Sequence, residues 1–237
     1  MARASAVGAA GLLCAGLVAG CTSPGHGART RSAASPALSG WRSTAEADVA
    51  LRALSQPAAN FPDTPTYYAG NTQTDELEAP EAAWCDAGLS PSDRLRIADR
   101  DETFTINKTQ FLGQSATAYQ GSGAELALTE MRTAPALCPT GMSPGPNGTV
   151  IDATLTLGRP PGSAPKGAID VHMTQVIHPL GDPIAADAIA GYPAVAEFVA
   201  FRCGDVVISL AFFSTSNADR LAGTSYLNRA LLHRTCA

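Results

Sequence analysis

Basic side chains are scarce in this 237-residue chain, and lysine most of all, with Lys108 and Lys166 the only two. Sixteen Lys and Arg stand against 21 Asp and Glu, giving a net charge of −5. Nothing basic is clustered, which argues against nucleic acid as a partner, because phosphate binding needs a concentrated positive patch. Several motifs are missing as well. There is no H-E-x-x-H, no Walker loop and no G-x-G-x-x-G, so no cofactor is expected. Gly113-Gln114-Ser115-Ala116-Thr117 stops one residue short of a G-x-S-x-G nucleophile elbow, since Thr117 stands where the final glycine would be. Histidine occurs four times, at His26, His172, His178 and His233. His172 and His178 share a strand face, but six residues of strand span about 20 Å at roughly 3.3 Å each. Zinc–nitrogen bonds of about 2 Å cannot bridge that gap. No catalytic residue and no metal ligand is therefore assigned from sequence.

A targeting signal is present at the N-terminus. Arg3 supplies a positive start, and Ala6 to Val18 form an apolar or small-residue run. That run has the length of a signal-peptide core and is too short to span a bilayer. It ends in Val18-Ala19-Gly20-Cys21, which looks like a lipoprotein lipobox. The small residues let the chain lie extended in a peptidase site, and the Cys21 thiol is the acceptor for a lipid glyceryl group. Residues 1–20 thus read as a lipoprotein signal peptide and Cys21 as the lipidated first residue. The partner this implies is the lipid membrane, reached through acylated Cys21, and the location is the cell membrane, facing outside the cytoplasm. Each buried methylene of an acyl chain contributes about 0.8 kcal/mol to anchoring. Residues 21–40 are rich in Ser, Gly, Ala and Pro and read as a flexible tether. Residues 41–237 are left as one domain, the expected number for that length.

Six cysteines occur. Cys14 leaves with the signal and Cys21 takes lipid, so Cys85, Cys138, Cys203 and Cys236 remain. An even number in an exported chain implies two disulfides. Three pairings are open. Cys85–Cys138 with Cys203–Cys236 closes the smaller loops and is favoured. A zinc site is the rival, but no two of these cysteines have C-x-x-C spacing.

Hydrophobic periodicity orders the domain. Ser43-Thr44-Ala45-Glu46 fits a capping box ahead of an apolar stripe at Ala47, Ala50, Leu51 and Leu54, which predicts a helix over 43–55. Residues 56–92 read as irregular, pinned by Phe61, Tyr67, Tyr68 and Trp84. A strand is expected over 103–112, with Leu95 and Ile97 in a short partner strand and Asp99-Arg100-Asp101 as the turn. Ser122-Gly123-Ala124-Glu125 resembles a second capping box, opening a helix that runs to Cys138. Residues 139–148 read as a loop. Ile151 to Leu157 and Ile169 to His178 alternate as half-exposed strands. Val195 to Arg202 and Val206 to Phe213 are apolar on both faces and read as central strands, with Cys203-Gly204-Asp205 as a tight hairpin. A last helix is expected over about 218–234. The fold class is α+β: an antiparallel β-sheet with helices packed on it, stapled by two disulfides.

The helix ending at Cys138, the hairpin Phe201-Arg202-Cys203-Gly204-Asp205-Val206-Val207, and the closing helix with Leu221-Ala222 and a late cysteine together resemble the PknH-like extracellular sensor domain. The resemblance covers residues 42 to 237. Members of that family form the outer domain of some bacterial receptor kinases or occur as free lipoproteins. The resemblance implies two disulfides, an α+β sheet and a cleft for an unidentified ligand. It implies no activity, and this sequence has no kinase domain of its own.

Glu197 is the one charged residue in Val195 to Phe201, a segment otherwise apolar on both faces. A buried carboxylate needs a partner or must neutralise. It points into a cleft and meets a ligand, or the strand end is exposed there, or it pairs with an arginine such as Arg202 or one from a neighbouring strand. The expected function is that of a non-enzymatic ligand-binding or sensor module for an unknown small molecule or envelope ligand. A carrier of lipid or another hydrophobic molecule is the alternative, and an envelope hydrolase the second.

Overall fold

Strands whose backbone groups have no other partner must find one another, and here they do so in a single sheet. A computed structural model describes residues 39–41, 43–73, 90–144, 149–179, 194–219, 221–232 and 236. In chain order the elements are α1 (Thr44–Leu54), β1 (Thr66–Gln73), β2 (Arg96–Thr105), β3 (Gln110–Tyr119), α2 (Gly123–Leu137), β4 (Thr140–Pro144), β5 (Thr149–Leu157), β6 (Ile169–Pro179), β7 (Val195–Cys203), β8 (Val206–Ser214) and α3 (Ala222–Leu231). The eight strands lie in the order β1-β2-β3-β8-β7-β6-β5-β4. Every neighbouring pair is antiparallel. The class is α+β, as the periodicity implies. Two meanders, β1–β3 and β4–β8, join where β8 pairs with β3.

Helices cover both faces of the centre. On one face α1 and α3 place Ala47, Leu51, Tyr226, Leu227 and Leu231 against Leu112, Val199, Phe201, Ile208, Leu210 and Phe212. On the other, α2 lays Ala124, Ala127, Leu128 and Met131 on Leu155, Val171, Ala200 and Val207. This double cover explains why β7 and β8 lack a polar face. Phe201, Phe212, Leu210 and Val199 are almost wholly buried, each worth about 1.5–3 kcal/mol relative to exposure. The Ser43 hydroxyl caps α1 by accepting the Glu46 N–H at 3.3 Å, as its motif predicts. No helix among the described residues is long and apolar enough to cross a membrane.

Several local expectations fail for identifiable reasons. The 56–92 stretch contains β1, which among the described residues is an edge strand paired to β2. Its alternation is broken by a bulge between Tyr67 and Ala69. Phe61 is buried, but Tyr67 and Tyr68 are exposed, and Trp84 lies outside the described residues. The strand expected over 103–112 is two strands. Asp99-Arg100-Asp101 runs through the middle of β2, and the turn falls at residues 106–109. Asn107 makes that turn: its Oδ1 accepts the N–H groups of Thr109 at 2.9 Å and Gln110 at 3.0 Å, the side-chain mimic of a backbone turn. The 139–148 loop contains β4, an edge strand ending in Pro144, where a missing N–H is tolerated. Ser122 makes no side-chain cap to α2. The last helix begins at Ala222, after a 3-10 turn over Asn217–Asp219.

Of the two expected disulfides, Cys203–Cys236 is present, with Cα atoms 5.1 Å apart. Cys138, the C-cap of α2, is itself disulfide-bonded, whereas Cys85 lies outside the described residues. The Cys203–Cys236 bridge closes a separation of 33 residues around β8 and α3. Replacing both cysteines by serine is expected to cost about 2–4 kcal/mol in urea unfolding at equilibrium. An unchanged midpoint would show that the bridge restrains nothing the sheet does not already hold.

Candidate functional site

Antiparallel register decides which side chains meet on a face. In β6 and β7, His172 is paired with Glu197 and Asp170 with Val199. Asp170 and His172 are two residues apart, so they share a face of β6, and that face is the one Glu197 occupies on β7. Val171 and Met173, between and beyond them, turn to the α2 side. His172 Nε2 lies 2.9 Å from Asp170 Oδ2 and 3.9 Å from Glu197 Oε1. One nitrogen and two carboxylates thus have donor atoms within 4.8 Å of one another. Asp170 is 1% exposed and Glu197 3%, while His172 forms the accessible rim.

The first turn of α3 closes the site. Thr224 Oγ1 donates to Glu197 Oε2 at 2.8 Å. Gly223 lies so close that a Cβ there would stand 2.7 Å from the same oxygen and 3.1 Å from Phe212 Cδ1. At the end of β5, a Cβ on Gly158 would fall on Asp170 Oδ2 and His172 Nε2. Any larger residue at either position forces donor atoms to move. Burial pushes the Glu197 carboxyl up to about 6; the Thr224 hydrogen bond opposes this, Asp170 adds to it, and His172 opposes it. Asp219 lines the same recess and is held below the usual carboxylate range by hydrogen bonds from Ser214 and Gln110.

Beyond the recess, no described helix packs on the same face over β4–β6. Thr140, Thr154 and Thr174 stand in one cross-strand row. With Gly141, Asp152, Ala153 and Val176 they line an open groove of about 700 Å³. The recess itself has about 10 Å³ of room, and Thr174 lines both.

Glu197 therefore does not pair with Arg202. Arg202 belongs to the opposite face and bonds Gly204 O at 2.6 Å, with Glu125 and Asp205 at 3.6 and 3.7 Å. His172 meets carboxylates; its relation to His178 is not described, because the His178 side chain lies outside the described residues, as does His233. Ser115 sits inside β3, paired to Asp101 of β2 and Ser209 of β8, a flat central strand and not an elbow. Cys21 and His26 lie outside the described residues. The sequence reading misses the trio. The D-x-H pair Asp170–His172 on one strand face was its visible half, but its meeting with Glu197 depends on register across a connection of 15 residues.

Among solved structures, the chain is similar to the extracellular domain of PknH from Mycobacterium tuberculosis. The TM-score is 0.41 and the identity 12%, over 70% of this chain and 82% of that one. No family model matches the chain, and no curated protein matches it.

Because the folded Glu197 keeps its proton to about pH 6 against an ordinary 4.5, the folded state binds more protons between those values. Its contribution to stability is therefore lost as pH rises through that window, by about 2 kcal/mol in all. In chelator-treated protein, Glu197→Gln should be more stable than the parent at pH 7 by up to that amount and gain little at pH 4. Urea unfolding at the two pH values tests this, and an equal difference at both would refute it.

Proposed function

We propose that this protein is a lipid-anchored extracytoplasmic module that binds a ligand in the groove over β4–β6 and does not turn it over. The groove carries the reading. Its volume of about 700 Å³ lies within the range of small-molecule sites, roughly 300–1,000 Å³. Its lining sets three threonine hydroxyls and Asp152 beside Val176, Ala153 and Gly141. Such a mixture orients a polar ligand by hydrogen bonds and seats its apolar part. A carrier of lipid needs a large dry apolar cavity instead, and the doubly apolar strands β7 and β8 that suggested one are filled by helices on both faces. The hydrolase alternative loses its one near-motif, since Ser115 is a residue of a central strand, in register with Asp101 of β2 and Ser209 of β8.

The anchor is read from Val18-Ala19-Gly20-Cys21, with residues 21–40 as the leash that holds the domain at the outer membrane surface. The partner there is the bilayer, through the acyl chains on Cys21.

Native mass spectrometry of protein taken from its own envelope tests both halves. The chain should begin at Cys21 with a diacylglyceryl group and carry a co-purified small molecule. Thr154→Trp, which fills the groove from an exposed position, should release that molecule without changing the circular dichroism. A chain starting elsewhere removes the anchor. A molecule retained equally by Thr154→Trp removes the groove.

A further inference from the structure

We propose that Asp170, His172 and Glu197 form a binding site for one first-row divalent cation of the zinc type, at the inner end of the groove. Three observations carry it. The donors come first. Imidazole nitrogen with two carboxylate oxygens suits zinc and its neighbours, whereas magnesium and calcium take oxygen alone. Metal–ligand bonds of about 2.0–2.2 Å put tetrahedral donors about 3.3–3.6 Å apart. The separations of 2.9 and 3.9 Å about His172 Nε2 bracket that distance.

The second observation is unmet bonding. Asp170 Oδ1 and Glu197 Oε1 are both buried, and neither has a hydrogen-bond partner among the described residues. Two carboxylates at 1% and 3% exposure share one imidazole, which as a cation neutralises only one of them. Buried charges are ordinarily paired or bound to metal. A dication meets both carboxylates with the imidazole neutral, so the charges of the three donors are balanced.

The third is space and support. The recess beside Glu197, of about 10 Å³, holds one water or one ion and nothing larger. Thr224 fixes Oε2 and leaves Oε1 turned toward His172, the outer-shell arrangement that orients a ligating carboxylate. Gly158 and Gly223 supply the room that a Cβ would take from the donors. On binding, the Nε2 proton shared with Asp170 moves to Nδ1 or to solvent, which frees the lone pair. Three protein donors leave a fourth position, and His172 is the rim of the site, so a groove ligand that reaches past Thr174 would meet the cation. In that respect the inference rests on the binding reading, although the cation site stands without it.

The test uses full-length protein stripped with a chelator. Zinc is titrated against a chromophoric competitor and bound metal is counted by elemental analysis. One zinc per chain and a raised melting temperature are expected, with magnesium and calcium giving neither. His172→Ala, at a partly exposed position, should abolish the stoichiometric zinc. Thr224→Val should weaken it about tenfold. Thr154→Trp should leave it unchanged even when the groove ligand is lost, so the two readings fail separately. No zinc on the parent chain would overturn the proposal, and so would equal zinc on His172→Ala, which would assign the metal to the other histidines. Calcium binding as tightly as zinc would overturn it too.

Discussion

The structure depends on burying β7 and β8 from both sides. A strand with α3 against one face and α2 against the other has no place for a solvated side chain. Nearly every position from Val195 to Ser214 obeys that constraint. The pair also holds the two halves of the sheet together, because β8 joins β3 on one side while β7 joins β6 on the other. Weakening this hydrophobic pair would therefore separate the β1–β3 meander from the β4–β6 one. The Cys203–Cys236 bridge, at the turn of the same hairpin, secures the pair to the chain end that follows α3.

Glu197 is the exception within that pair, and its cost organises the chemistry. A carboxylate placed in such a strand loses its water. The fold offsets the loss with a hydroxyl from α3 and an imidazole from β6, but among the described residues one oxygen has no hydrogen bond. Asp170, two residues from His172, repeats the situation from the neighbouring strand. The site is thus a local deficit of positive charge and hydrogen-bond donors inside a well-packed core. A core built for stability alone would carry an apolar residue at both places. The groove lies on the same face, where α3 stops and the outer strands continue, so an accessible surface and a buried polar cluster adjoin through Thr174.

Much of this was legible beforehand. The last four strands, their hairpin and α1 with its Ser43 cap follow from period-two alternation, a Gly-Asp turn and an S-x-x-E motif. Elements that obeyed weaker rules were lost. β1 and β4 are edge strands with little alternation, rich in Thr, Gly and Pro, and are held by pairing and not by propensity. β3 reads as small polar residues, yet half its positions are core because β2 and β8 flank it. Gly113 and Ser115 were visible only as part of a near-motif, and the sheet turned them into lattice. Glu197 was legible as an anomaly, but its partner was not Arg202, because strand alternation sends that side chain to the other face.

The amino-acid sequence by itself determined the class, the central strands, the Cys203–Cys236 pairing and the buried carboxylate of Glu197, since composition, spacing and short-range periodicity carry those. The proposed lipobox at Cys21 is likewise a linear pattern that needs no fold to be read. Only the tertiary structure decided which residue stood opposite Glu197. Strand pairing across a long connection is set by register, and a slip of one residue would have turned His172 and Asp170 to the other face.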